Sequence, residues 1–149
     1  MKEVFKNIFI CLGVSALIVY ISYLIQSNYI FELLNQGLII ILISLLAINT
    51  TTSSVILTKL KEISDKNKIS FTNTIDQLHL SIKEQVWLII VGLVFLIIGD
   101  SNVIRNGFSQ LENGINTVLV AVFIYAILIL KDTANAIFVI LNQEKSAKD

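Results

Sequence analysis

Hydrophobic positions run through this chain in four long blocks. No Asp, Glu, Lys or Arg falls within Ile8–Ile25, Leu33–Leu57, Val86–Ile98 or Ile115–Leu130. About 20 mostly apolar residues cross a hydrocarbon layer roughly 30 Å thick. The blocks therefore predict four membrane-spanning helices, placed at residues 8–25, 33–50, 85–102 and 115–132. The third uncharged block has 13 residues, only about 20 Å of helix, so it must borrow Lys83–Gln85 on one side or Gly99–Ile104 on the other. One long polar stretch, Thr58–Gln85, separates two hydrophobic hairpins.

Helical spacing continues past the spans. Ile56, Leu60 and Ile63 prolong the second, and Ala134, Ile137, Phe138 and Leu141 prolong the fourth. Phe71, Ile75, Leu78 and Ile82 give the polar stretch a helix that runs into the third span, after a break at Asp65–Lys68. Thr74 and Gln77 have the spacing of a capping box. The pattern predicts an all-α polytopic membrane protein. It is a four-helix transmembrane bundle running up-down-up-down, with short cytoplasmic helical extensions over residues 51–84 and 133–145. The extensions are expected to bury one face, but a lone chain of this size leaves the faces of such a stalk poorly covered, which points to self-association or a docked protein.

The two outer connections resemble each other. Ser27-Asn28-Tyr29-Ile30 precedes Phe31, Leu34 and Gly37, and Ser101-Asn102-Val103-Ile104 precedes Phe108, Leu111 and Gly114. Phe and Leu three apart share a helical face, so each connection reads as a short amphipathic turn. Gly37 and Gly114 would then redirect the chain into the next span.

Composition strengthens the membrane reading and charge adds an orientation. The chain of 149 residues is 55% hydrophobic, with a mean hydropathy of +0.80, against 45–50% apolar in soluble domains. The first run outlasts the h-region of a secretory signal and lacks a small-x-small cleavage site, so it reads as a retained span. Lys and Arg number two before the first span, none in 26–32, five in 58–85, one in 99–114 and three after the last. Basic short loops stay cytoplasmic. Both termini and the central loop are accordingly expected inside. The formal net charge is zero, which gives no basis for nucleic-acid binding.

Chemistry is sparse. His79 is the single histidine, Cys11 the single cysteine, and no catalytic triad, H-E-x-x-H or phosphate loop is present. No enzyme activity, metal or cofactor is expected. Glu32, Asp100 and Glu112 mark the outer edge and Asp132 the inner one, so no carboxylate marks a midplane ion path. The polar run Asn49–Ser54 has two readings. Asn49, Thr52 and Ser53 share a face and could line the inner mouth of an oligomeric pore. Alternatively the run marks the helix leaving the lipid, with hydroxyls bonded to the backbone. Gly13, Ser15, Ala16 and Gly92 suit close helix packing, and Trp87 and Tyr125 suit an interface or a packed core.

A four-span chain with both ends inside, tiny outer loops, one basic helical loop and a short basic tail resembles small bacterial membrane proteins of phage defence. It is most similar to the KwaA-like membrane subunits of the Kiwa system, and more distantly to RexB-like exclusion proteins. The resemblance lies in hydropathy and charge over the whole chain, and no functional residue is carried across. It implies a homo-oligomer of the bacterial inner (plasma) membrane that senses infection and recruits a soluble effector through its cytoplasmic side. With the expected stalk, it makes Lys59, Lys61, Lys66, Lys68, Ile137, Phe138 and Leu141 the candidate partner-binding residues of a non-enzymatic scaffold. The alternatives are an ion-conducting membrane effector and a toxin-immunity protein.

Overall fold

A computed structural model describes residues 2–67, 71–101 and 109–146, with side chains over 6–65, 71–101 and 111–137. Among the described residues the chain is all-helical: α1 (Lys2–Leu24), α2 (Tyr29–Asn67), α3 (Thr72–Gly99) and α4 (Ser109–Ser146). Each contains a segment long and apolar enough to cross a membrane. In lipid a backbone must satisfy its own hydrogen bonds, which continuous helices do. The protein is a multi-pass membrane protein.

The helices differ in length, and the difference matters. At 1.5 Å per residue, the 23 residues of α1 reach about 35 Å, close to one crossing. The 39 residues of α2 and 38 of α4 reach about 58 and 57 Å. No break separates the apolar half of α2 from its lysine-bearing half, so Asn49–Ser54 lies within one helix.

Helix α4 is the hub. It packs against α1, α2 and α3, while α2 and α3 also pack on each other. Its buried positions Ile115, Leu119, Val120, Ala121, Val122, Tyr125, Ala126 and Ile129 go round much of the helix. Leu34, Leu38 and Leu42 of α2 meet α4 in the main core, with Leu88, Val91 and Phe95 of α3 against it. Helix α1 joins through a narrower face, in which Cys11, Ser15 and Ser22 are buried. Cys11 packs with Tyr125 and Ile129. Of the small α1 residues expected to pack closely, Ser15 does so, whereas Gly13 and Ala16 are exposed.

Gly92 of α3 sits against both α2 and α4. A Cβ there would lie 3.3 Å from Leu42 Cδ1, 3.5 Å from Leu38 Cδ2 and 3.7 Å from Val122 Cγ1. Small residues at such crossings let neighbouring helices gain van der Waals contact, the main attraction available between apolar helices in lipid.

A second apolar cluster lies toward the lysine-rich end. Ile56, Leu60 and Leu78 are buried, with Leu57, Ile63, Phe71, Ala136 and Ile137 packed around them. The expected buried face forms within the chain: the three helices close on one another, because the α2 stripe at 56, 60 and 63 faces α3 and α4 as the stripe at 34, 38 and 42 does, while Val55 and Leu80 stay exposed.

Two local expectations are corrected. Gly37 and Gly114 do not redirect the chain, since both lie inside helices and no described glycine has a positive φ. The first reversal is made at Gln26, with φ 53°. There Ser27 N–H donates to Ser22 O at 3.0 Å and Gln26 N–H to Tyr23 O at 3.2 Å. That pair of bonds is a Schellman ending. Asn28 O then accepts from Phe31 and Glu32 N–H at the start of α2. The matching positions Asn102–Phe108 lie outside the described residues. Nor does Thr74 cap α3. The N-cap is Phe71, without a side-chain bond, because the helix begins at Thr72, two residues before Thr74.

Two outcomes follow from this packing. Gly92→Leu should destabilise the bundle by about 2 kcal/mol or more through overpacking. Gly114→Ala, with open space around the new methyl, should instead gain about 0.5–1 kcal/mol of helix propensity. Unfolding in mild detergent compares them, and equal effects would refute the close crossing. Gln26→Gly should raise stability by about 1 kcal/mol, since a left-handed residue costs about that much. A loss would refute the left-handed ending.

Candidate functional site

The residues drawn from hydropathy as the inner edges of three spans meet in one polar layer. Asn49 Nδ2 donates to Ser81 Oγ at 2.8 Å and to Gln85 Oε1 at 3.0 Å. Ser81 Oγ lies 3.5 Å from Thr133 Oγ1, and Thr133 also donates to Ile129 O at 3.2 Å. Ser53, one turn beyond Asn49 on the same face of α2, is buried with them. The layer interrupts an apolar stripe. On α2 the inward positions run Leu38, Leu42, Asn49, Ser53, Ile56 and Leu60, and on α3 they run Leu78, Gln85 and Gly92.

The layer is not fully paired within the protein. Asn49, Ser53 and Gln85 are 0, 1 and 2% exposed, yet Asn49 Oδ1, Ser53 Oγ and Gln85 Nε2 have no protein partner. A crevice of about 110 Å³ between α3 and α4 adjoins it, lined by Thr74, Gln77, Leu78, Ser81, Asp132, Thr133 and Ala136. Nearby, Tyr125 donates its hydroxyl to Glu84 Oε2 at 3.1 Å, tying α4 to α3 a second time.

The candidate pore-lining residues thus separate. Asn49 and Ser53 face inward, between the helices of a single chain, and Thr52 is half-buried. The flanking hydroxyls serve their own helix: Thr50 donates to Leu46 O at 2.8 Å, Ser54 to Thr50 O at 2.9 Å, and Thr51 to Ala47 O. Sequence spacing put Asn49 and Ser53 on one face. It did not mark Ser81, Gln85 and Thr133 as their partners, although the three and four residue steps from Leu78 would have found Ser81 and Gln85.

The candidate partner-binding residues are scattered. Lys59 is exposed and pairs with Glu62 at 2.8 Å, a surface contact of small energetic weight. Lys61 is exposed. Lys66 lies near the end of α2 and Phe138 and Leu141 lie in α4, but their side chains, like all of Lys68, fall outside what the structure describes. Ile137 is half-buried against Ile56, Leu60 and Leu78, so much of its surface is used within the chain. His79 is exposed.

At the opposite end, α1, α2 and α4 splay around a vestibule of about 760 Å³ that holds Glu32, Glu112, Asn35 and Asn116. Among the described residues no group of three or more His, Cys, Asp or Glu could hold a metal ion. The fold and the layer define a membrane-spanning helical bundle with an internal polar tier. Comparison with protein-family models, curated proteins and solved structures gave no match.

Removing one partner from the layer strands the other. Asn49→Leu or Gln85→Leu should each cost about 1–3 kcal/mol, while the double variant should cost less than their sum by about 0.5–2 kcal/mol. A double-mutant cycle by detergent unfolding measures this, and strict additivity would show that the two amides do not interact.

Proposed function

We propose that this protein is a non-enzymatic scaffold of a bacterial inner membrane, which docks a soluble effector through cytoplasmic extensions of its helices. The observation that carries the reading is the surplus length of α2 and α4. Each exceeds a hydrocarbon layer of roughly 30 Å by about 27 Å. Glu32, Asp100 and Glu112 lie near the helix ends opposite the lysines, so the surplus belongs to the lysine-rich end.

Three helices are more than an anchor needs. The projecting part is held together by Ile56, Leu60 and Leu78, which makes it a firm platform. Its outward surface carries Lys61 and the large apolar side chains of Val55 and Leu80. The lysine distribution favours a cytoplasmic position for this platform. Phage defence, with the chain as a homo-oligomeric sensor beside a separate effector, is the biological setting that the resemblance supports. The inward placement of Asn49 and Ser53 supports a scaffold over a pore built between copies.

Reversing charge on the platform tests the docking. Lys59→Glu combined with Lys61→Glu should lower recovery of a co-purifying soluble protein by about tenfold, a loss of some 1.4 kcal/mol, while the variant stays in the membrane fraction. Unchanged recovery would remove these lysines from the docking surface.

A further inference from the structure

We propose that the polar layer is a water-binding site, filled from the cytoplasmic side through the crevice between α3 and α4, and that it ends blind against the packing at Gly92. This goes beyond docking and shares with it only the orientation of the chain.

The unpaired atoms specify the occupant. Asn49 Oδ1 accepts hydrogen bonds, Gln85 Nε2 donates them and Ser53 Oγ does both. Turning the two amides end over end exchanges which residue supplies which atom, yet still leaves one carbonyl oxygen and one NH₂ over. A cation would meet the NH₂ and an anion the carbonyl. A neutral molecule that both donates and accepts satisfies the set, and buried water does this with about three hydrogen bonds. Each group left unpaired would cost about 1–3 kcal/mol.

Asn49, Ser53 and Gln85 do not themselves line the crevice, so access to them runs past the two residues that the crevice and the layer share. Ser81 and Thr133 line the crevice, and Ser81 is also bonded to Asn49. Gln77 and Asp132, which line the same space, are exposed, so it opens at the surface. Its volume of about 110 Å³ is ample to admit water.

The other end is shut. Two turns from Gln85, about 10 Å along α3, Gly92 sits within 3.3–3.7 Å of Leu42, Leu38 and Val122 measured from a Cβ position. No water fits between contacts that short. The recess therefore wets one end of the bundle without opening a path through it.

Cysteine accessibility tests this in the full chain on a Cys11→Ser background, using a membrane-impermeant methanethiosulfonate on inside-out vesicles and on intact cells. Ser81→Cys and Thr133→Cys should react in inside-out vesicles at rates within about tenfold of the exposed reference Gln77→Cys, since reactivity follows access. Leu42→Cys and Val122→Cys should remain unmodified from both faces. Adding Ala136→Phe, which fills the crevice, should slow Ser81→Cys by about tenfold or more and leave Gln77→Cys unchanged. If either Ser81→Cys or Thr133→Cys is lost from the membrane fraction, the other carries the measurement. Silence at both while Gln77→Cys reacts would overturn hydration, modification at Val122 would overturn the blind end, and reaction only in intact cells would overturn cytoplasmic access.

Discussion

In lipid, apolar helices gain little by hiding leucine from a solvent that is itself hydrocarbon, so what holds them together is close contact and polar pairing. Helix α4 meets that constraint for the whole molecule. Its buried residues face three neighbours at once, and without it α1 would have no principal partner. The tight crossing at Gly92 and the layer around Asn49 are the two places where contact becomes specific. One leaves little room for a larger side chain, and the other joins α2, α3 and α4 through named hydrogen bonds.

The two devices act at different depths. Around Leu38, Leu42 and Gly92 the bundle is apolar and closely packed. Around Asn49, Ser81 and Gln85 it is polar and incompletely paired within itself, and beyond Ser53 it becomes apolar again at Ile56, Leu60 and Leu78. A polar tier between two apolar ones opposes sliding of α2 along α3, because a shift of one turn would carry Asn49 away from either Ser81 or Gln85 and lose one of its two bonds. It also permits small rearrangements, since hydroxyls and amides can exchange partners at modest cost.

Much of the fold was legible in the chain. Uncharged blocks of membrane-spanning length gave the helices, and the three and four residue steps through Ile56, Leu60 and Ile63 predicted that α2 continues past Ser54. Less of the candidate site was legible. Asn49 and Ser53 could be placed on one face, but whether that face met lipid, another copy or the chain's own helices is a matter of helix rotation, which a uniformly apolar block leaves undetermined. The glycines at 37 and 114 misled for a related reason. Helical segments tolerate glycine, and the reversal was made instead by Gln26, whose left-handed conformation no local preference announces.

What the sequence determined by itself is the four membrane-spanning segments found among the described residues, their apolar lengths and the uneven distribution of lysine, because these depend on transfer of residues between water and lipid one segment at a time. Tertiary structure alone decided that α4 is the hub, that Asn49 meets Ser81 and Gln85, and that Leu78 closes on Ile56 and Leu60. Those outcomes depend on the relative rotation and depth of whole helices, and close packing settles them only when all the partners are present.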